Sequence, residues 1–148
     1  MTPTGAPGTF ENVSPILRVC DARASIDYYV SKLGFKLNWE TPNVAGVSRD
    51  RCGVMLSEGD QGNLGSWVWF GVEDAEALHE EYRAAGAKIR HPPTNYDWAL
   101  EMQVEDLDGN VLRFGSEPKA GQPFGEWLDM HGTRWAPAGD RGWRRVEH

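Results

Sequence analysis

The densest group of residues able to do chemistry is a run of carboxylates late in the chain: Asp97, Glu101, Glu105, Asp106 and Asp108. Paired carboxylates can act as general acid and base or bind a divalent cation. Asp106 and Asp108, however, lead directly into Gly109 and Asn110, and these are the residue types that tight turns require. Turn formation therefore accounts for the acidic run, and we infer no acid–base pair from it.

The histidines and cysteines form no recognisable metal or nucleophile pattern. A metal site needs imidazoles, thiolates or carboxylates that converge. His79 falls in a predicted helix, His91 stands beside two prolines, and His131 lies in a stretch without periodicity. Cys20 and Cys52 are interpreted as reduced thiols, because two cysteines are too few for a disulfide framework. The sequence also has no Gly-x-Ser-x-Gly motif and no phosphate-binding glycine loop before a helix.

Seven tryptophans in 148 residues are the strongest sign of a binding surface. Trp67 and Trp69 are two residues apart on a predicted strand, so they point to the same face, and the intervening Val68 points to the other. Alternation alone leaves open which face packs in the core. Trp98 falls in a weak, loop-like stretch, where core packing explains a large aromatic poorly. It is the best single candidate for contact with a ligand.

The charge distribution argues against nucleic acid as a partner. Residues 1–115 carry ten basic and 17 acidic side chains, which accounts for the whole net charge of −7. Residues 116–148 carry five of each. Phosphate binding needs a basic face, and an acidic body instead attracts cationic ligands. No apolar run approaches the roughly 18 residues of a membrane span, and residues 1–10 lack the features of a signal peptide. We therefore expect a cytoplasmic protein with no membrane partner.

An internal repeat organises the chain. Asp21-Ala22-x-Ala24 recurs as Asp74-Ala75-x-Ala77 at an offset near fifty residues, which indicates a duplicated supersecondary unit. Each Asp is a natural N-cap, and an apolar helical stripe follows it. Strands flank both helices. They are predicted at 13–19, 35–40, 45–49 and 53–57, and again at 67–72, 88–90, 101–105 and 111–115.

The second unit is less regular than the first. Residues 95–100 form either a weak middle strand or a loop, and His91-Pro92-Pro93 is predicted to end the strand that begins at Lys88. After residue 116, segments 127–130 and 133–135 are compatible with a hairpin, and 137–148 looks loose. The predicted division is a flexible leader at 1–12, a domain at 13–116 with modules 13–57 and 66–116, and a C-terminal extension at 117–148. The final Glu147-His148 is compatible with part of a purification tag.

Several motifs in this order resemble the vicinal oxygen chelate superfamily, which includes glyoxalase I, extradiol dioxygenases, fosfomycin-resistance enzymes and bleomycin-resistance proteins. They are Pro15-Ile16-Leu17-Arg18-Val19, Leu33-Gly34-Phe35 and the stretch from Val104 to Asn110. The resemblance implies an α+β fold in which two βαβββ modules form an open half-barrel around a groove. The Trp67-Val68-Trp69 strand, Trp39, Trp98 and an initial proline make the chain most similar to the bleomycin-resistance type.

The same resemblance implies that the superfamily's metal ligands are missing. The four ligand positions fall on Ser14, on Met55 or Leu56, on Trp67 and on Arg113. None of these supplies the imidazole or carboxylate donors that such a site needs. We therefore predict that the protein has no metal, no cofactor and no catalytic residue, and that it acts by binding and not by catalytic turnover.

What remains is a groove for a flat ligand. By resemblance, the protein is a dimeric binder that sequesters a planar, cationic antibiotic-like molecule, with Pro15 as a hinge for strand exchange between the two copies of the homodimer. The expected lining residues are Trp39, Val44, Met55, Leu56, Trp67, Trp69, Tyr96, Trp98, Glu101, Asn110 and Arg113. Val44 replaces the family's second stacking aromatic, and Arg113 would oppose a cation placed beside it.

Two other functions stay open from the sequence. One is a superfamily enzyme with an atypical metal site or none, and the other is a regulatory protein whose groove binds a peptide, a metabolite or a partner. The role of the extension is open as well. Three alternatives are open: the extension covers the groove, extends a sheet or strengthens the dimer.

Overall fold

The structure is a computed structural model, and it describes residues 8–140 and 142–147. The first seven residues of the predicted leader, and His148 of the suspected tag, lie outside the described residues. In the described part of the chain, no helix is long and apolar enough to cross a membrane.

The first module is a helix packed on a four-stranded sheet. Its elements are β1 (Ile16–Val19), α1 (Ala22–Ser31), β2 (Lys36–Glu40), β3 (Val44–Arg49) and β4 (Cys52–Glu58). Asp21 begins the helix, because its extended backbone leaves the side chain free to accept a hydrogen bond from Ala24 N at 3.0 Å. The strand order is β1-β4-β3-β2, with β1 parallel to β4.

The second module repeats that order. Its elements are β5 (Trp67–Gly71), α2 (Ala75–Ala85), β6 (Lys88–Asn95), β7 (Leu100–Glu105) and β8 (Val111–Ser116). Asp74 caps α2 as Asp21 caps α1, with its side chain 3.0 Å from Ala77 N. Gly86 ends the helix in the left-handed region, at φ 81°, where glycine has no steric penalty. The strand order is β5-β8-β7-β6.

The sequence predicted that the prolines of the second module would end the strand that begins at Lys88. They do not end it. β6 continues through Pro92 and Pro93 to Asn95, with register shifts on either side of His91. This is possible because β6 is the edge strand of its sheet, and a proline there removes no essential ladder hydrogen bond. Residues 96–99 connect β6 to β7, so the loop alternative for this stretch is confirmed.

The C-terminal extension is more ordered than predicted. It forms a three-stranded antiparallel sheet of β9 (Trp127–Leu128), β10 (Arg134–Ala138) and β11 (Gly142–Arg145). The predicted hairpin around residues 131–132 is confirmed by the pairing of β9 with β10. The prediction of a loose 137–148 segment is wrong, because the chain turns at Gly139 (φ 64°) and pairs β11 back onto β10.

Both modules contribute to a single hydrophobic core. Residues on the helix-facing sides of the two sheets pack together with α1 and α2, including Leu17, Leu56, Phe70 and Phe114. We call the opposite side of each sheet its outer face. The α+β class, with two βαβββ modules and open sheets, is confirmed. Because the helix-facing sides share one core, the two outer faces lie on the outside of the chain.

Candidate functional site

Trp39 lies on the outer face of the first module because of a β-bulge. Leu37 pairs with Val47, but Trp39 pairs with Gly46, so the register shifts by one residue between them. Leu37 therefore packs against the core while the indole of Trp39 turns outward, although residues two apart on a regular strand would share a face. A Cβ on Gly46 would lie 3.0 Å or less from three atoms of the Trp39 ring. The indole rests on bare backbone and is 44% exposed.

Trp69 has the same arrangement on the second module. A Cβ on Gly115 would lie 2.7 Å from Trp69 Cζ2, and one on Gly71 would lie 3.2 Å from Cζ3. Both glycines are needed for this ring to lie flat on β5 and β8. The side chain nevertheless remains 50% exposed, so one surface of the ring is supported and the rest faces solvent.

Trp98 is supported by another ring instead of by glycine. It stacks on Tyr96 with centroids 4.6 Å apart and an interplanar angle of 4°. Tyr96 is buried, and its hydroxyl donates to Glu126 O at 2.7 Å. Burial raises the pKa of Tyr96 to about 12, so the phenol stays neutral. Trp98 itself is 43% exposed, which leaves surface for a stacking partner.

A buried carboxylate fixes the two indoles of the second module. Glu101 is 1% exposed, and its Oε1 accepts hydrogen bonds from Trp69 Nε1 at 2.9 Å and from Trp98 Nε1 at 3.0 Å. Arg113 Nε donates to the other carboxylate oxygen at 2.7 Å. The Arg113 charge is therefore paired with that of Glu101, which weakens the expected opposition of Arg113 to a cation placed beside it.

The extension covers part of the same outer face. The ring of Trp127 lies 6.2 Å from Trp67 and 5.9 Å from Trp98, and the Arg113 guanidinium sits 4.8 Å above it. Gln103 Nε2 donates to Leu128 O at 2.9 Å, which binds the extension to β7. Of the alternatives for this segment, the structure supports a cover over the second module. Trp67 consequently packs under Trp127 and not against open solvent.

The remaining predicted lining residues divide into two groups. Val44 and Met55 are partly buried, and Met55 pairs with Gly46 beside Trp39. Leu56 and Asn110 are fully buried, and Tyr96 and Glu101 are each 1% exposed, which corrects the assignment of all four as ligand contacts. Leu56 belongs to the core. Asn110 joins the modules, since its amide donates to Arg18 O at 3.1 Å and accepts from Ser66 N at 2.9 Å.

The donor set does not fit a metal ion. Trp67 and Arg113 both contact Trp127, and Ser14 offers only a hydroxyl. The two nearby carboxylates are engaged elsewhere, because Glu58 accepts from Ala22 N at 2.7 Å and Glu101 binds the indoles. Across residues 8–140 and 142–147, no three His, Cys, Asp or Glu side chains group where they could hold a metal.

Asp106, in the turn between β7 and β8, has a structural role, as the turn residues of the acidic run had suggested. Asp106 Oδ1 accepts from Asp108 N at 2.9 Å and from Asn110 N at 3.0 Å. Its other oxygen accepts from Tyr29 OH at 2.9 Å, across the two modules. Burial, together with Asp106, raises the pKa of Tyr29 well above its ordinary value. These bonds explain the carboxylate without any role in proton transfer.

A cavity of about 680 Å³ opens away from the tryptophans. Its walls come from both modules and include Phe35, Cys52, Phe70 and the Arg49–Glu81 ion pair. The two outer faces, in contrast, are open surfaces in a single chain.

The sequence reasoning missed the glycine supports and the contact made by the extension. A usable signal was present for Gly71, because it stands two residues after Trp69 on the same strand and so shares its face. No local pattern marked Gly46 or Gly115, which approach their indoles across neighbouring strands. No local pattern in residues 127–130 marked Trp127 as part of the site.

The family profile described as the glyoxalase/bleomycin resistance protein/dioxygenase superfamily matches residues 11–114. The chain belongs to this superfamily. The matched segment ends before the extension begins, so β9, β10 and β11 are additions to the pattern that defines the family. A comparison with curated proteins finds no match.

Solved structures agree with this assignment. The bleomycin-binding protein from bleomycin-producing Streptomyces verticillus, complexed with copper(II)-bleomycin, is 25% identical, with a TM-score of 0.65 over 73% of this chain and 97% of that one. A bleomycin resistance determinant encoded on the transposon Tn5 is 16% identical, with a TM-score of 0.65 over 73% and 98%. A glyoxalase/bleomycin resistance protein/dioxygenase from Nocardioides is 19% identical, with a TM-score of 0.61 over 78% and 89%.

Proposed function

We propose that this protein binds a planar, cationic small molecule between tryptophan rings, in a groove completed by a second copy of the chain, and protects the cell by sequestering that molecule. The observation that carries the proposal is the shared geometry of Trp39, Trp69 and Trp98. Each ring is 43–50% exposed while part of it is held against glycine backbone or another ring.

This arrangement favours stacking for an energetic reason. An aromatic pair contributes about 0.5–1.5 kcal/mol beyond its buried area. Part of that gain is usually lost because the ring must be ordered on binding. Trp69 and Trp98 are already fixed by their hydrogen bonds to Glu101, so they lose little freedom when a ligand arrives. Exposed indoles held in this way are better explained by a ligand than by folding.

The proposed groove needs two chains because the helix-facing sides of both sheets share one core, so each outer face is directed away from that core. Trp39 of one chain would face Trp69 and Trp98 of another. Pro15, whose carbonyl accepts from Met55 N at 2.8 Å, stands just before β1 and is the proposed hinge if that strand exchanges between copies. The net charge of −7 adds attraction for a cationic ligand.

The likeness to the Streptomyces verticillus protein supports an antibiotic of the bleomycin type as one member of the ligand class. Val44 stands at the position of the family's second aromatic, so we expect a ligand that stacks on fewer rings than bleomycin does. We propose that the protein works without a metal, because the four ligand positions supply no imidazole or carboxylate and the nearby Glu58 and Glu101 are engaged elsewhere.

Tryptophan fluorescence tests the proposal directly. The protein would be titrated with proflavine, ethidium and metal-free bleomycin, and with an uncharged anthracene carboxamide as a charge control. Saturable quenching by the cationic planar compounds, lost in Trp39→Ala and in Trp69→Ala, is the expected result. Trp135→Ala is the matched control, since Trp135 Nε1 donates to Asp129 within the extension at 2.9 Å.

Two further measurements bear on the same proposal. Light scattering should give the mass of a dimer, and elemental analysis of protein purified without chelator should show no stoichiometric zinc, nickel, manganese or iron. A monomer mass at micromolar concentration, or no quenching by any compound up to millimolar concentration, would contradict the proposal. In the second case a groove for a peptide or partner protein becomes the better account.

A further inference from the structure

We infer that Trp127 is a specificity-determining residue: it fills the part of the second module's outer face next to Trp67, so that the site accepts one compact planar unit and excludes an extended one. This inference rests on the proposed function, because it concerns which members of the ligand class fit. It uses a part of the site that lies outside the segment matched by the family profile, residues 11–114.

Trp127 occupies the place between the two former ligand positions of the second module. Its ring is 6.2 Å from that of Trp67, and the Arg113 guanidinium lies 4.8 Å over it. It meets Tyr96 and Trp98 edge-on, at 5.8 Å and 5.9 Å with interplanar angles of 77° and 78°. An indole supplied by the chain itself therefore stands where a second ring system of a ligand would otherwise lie.

The backbone on both sides of Trp127 is tied to the module beneath it. Glu126 O accepts from Tyr96 OH at 2.7 Å, and Leu128 O accepts from Gln103 Nε2 at 2.9 Å. One residue further on, Asp129 O accepts from Arg90 Nη2 at 2.5 Å. Because hydrogen bonds hold the backbone on both sides of Trp127, moving its ring aside would break at least one of them, so the ring keeps its position when a ligand binds.

The surface that remains open is short. Trp69 and Trp98 are 50% and 43% exposed, whereas Trp67 is partly buried under Trp127. A single fused ring system can stack on Trp69 or Trp98 without meeting Trp127. A ligand with two linked planar systems needs the Trp67 end as well, where the extension already provides the stacking partner.

Two fluorescent cations separate these cases. Proflavine is a compact three-ring cation, and a bis-benzimidazole dye is a cation with two linked ring systems. We expect the wild-type protein to prefer proflavine. Trp127→Ala should strengthen binding of the bis-benzimidazole by about tenfold while changing that of proflavine by less than about threefold. Trp135→Ala, which removes another indole of the extension, should leave the ratio of the two dissociation constants unchanged.

A second variant guards against loss of structure. Trp127→Leu keeps an apolar side chain between Trp67 and Arg113 but is shorter than indole. If thermal melting shows that Trp127→Ala does not fold, the same change of ratio is expected from Trp127→Leu. An unchanged ratio in the folded variant, or an equal change in Trp135→Ala, would overturn the inference while leaving the proposed function standing. Binding of neither dye to wild type or variant would overturn both.

Discussion

The two modules share a backbone plan, yet their outer faces are built in different ways. The first presents a single exposed indole, Trp39, on Gly46, with Met55 beside it. The second presents two indoles that donate to one buried carboxylate, Glu101, under a cover supplied by the extension. One face is an open surface with one exposed indole, whereas the other carries two indoles fixed by hydrogen bonds and is partly covered.

The two modules share their helix caps and strand order, but not the side chains of their outer faces. Asp21 and Asp74 cap their helices with nearly the same backbone, at φ −141° and −147°, and the strand order is the same in both sheets. The outer-face side chains follow no such repeat. The helix caps and the strand order are therefore shared by the two modules, while the side chains of the outer faces differ between them, and under the proposed function the first module of a second copy would oppose the second module.

The largest expected loss of stability comes from replacing Glu101, the buried carboxylate that binds Trp69, Trp98 and Arg113 in the second module. Glu101→Gln removes the charge that pairs with Arg113 and leaves two indoles sharing a neutral acceptor. We expect it to lower the free energy of unfolding by about 2–4 kcal/mol, because a partly buried cation loses its partner. Urea denaturation followed by far-UV circular dichroism measures this change.

The matched change in the first module is Glu40→Gln. Glu40 pairs with Arg23 at 3.3 Å, with both side chains about half exposed. Such surface pairs contribute little, so this variant should unfold with the wild-type midpoint. Equal losses in the two variants would show that the second module is not organised around Glu101.

Glycine supports should matter in both modules, but more in the second. In Gly115→Ala the new Cβ meets both Trp69 Cζ2 at 2.7 Å and Ala99 Cβ at 3.1 Å, and Trp69 is held by Glu101. We expect a loss of about 1–3 kcal/mol in unfolding free energy. In Gly46→Ala the exposed Trp39 can swing outward, so the loss should be smaller while dye binding still falls.

Gly53→Ala serves as the control for both, since its Cβ would come no closer than 3.4 Å to the nearest atom, Val47 O. Thermal melts of the three variants and proflavine titrations of each check the order. A Gly46→Ala protein with unchanged dye affinity would show that the contact between the Trp39 indole and Gly46 is irrelevant to binding.

The smallest effect should appear as a pH dependence of the extension-covered module. Burial, with Arg134 and Arg90 nearby, lowers the pKa of His91 below its ordinary value of 6.5. The unfolded chain therefore takes up a proton near pH 6.5 that the folded chain binds only at lower pH, so this residue favours unfolding as the pH falls below that value. Between about pH 7.5 and about pH 5.5, His91→Gln should lose less stability than wild type.

Paired urea titrations at the two pH values give the comparison, with His131→Gln in an exposed turn as the control. A wild-type protein and a His91→Gln variant with parallel pH dependence would mean that the buried imidazole is not coupled to folding.

Much of this fold could be predicted because its signals are local. The caps at Asp21 and Asp74, the apolar helical stripes and the turn at Asp106–Asn110 all depend on residues close in sequence. The failures are the features set by neighbouring strands. The bulge that turns Trp39 away from Leu37, and the edge position that allows Pro92 and Pro93 within β6, have no local signature.

The candidate site was predicted less completely than the fold for the same reason. Periodicity predicted that Trp67 and Trp69 share a face but not which face that is, and the loop-like surroundings of Trp98 predicted its exposure. The burial of Asn110 did not, because its partners Arg18 and Ser66 are far away in sequence. The place of Trp127 depends on how a whole segment folds back onto β7, and residue types within that segment do not encode its destination.

A mixed-chain experiment tests most directly whether the groove is shared between copies. Trp39→Ala and Trp98→Ala proteins are each titrated with proflavine, then unfolded together, refolded and titrated again. In a mixed dimer, one groove carries both substitutions and the other carries neither. We predict that each single variant binds weakly, and that the mixture recovers wild-type affinity in about a quarter of its grooves, as random pairing requires. If mixing restores no wild-type sites, the two tryptophans do not meet across chains, and the shared groove is contradicted.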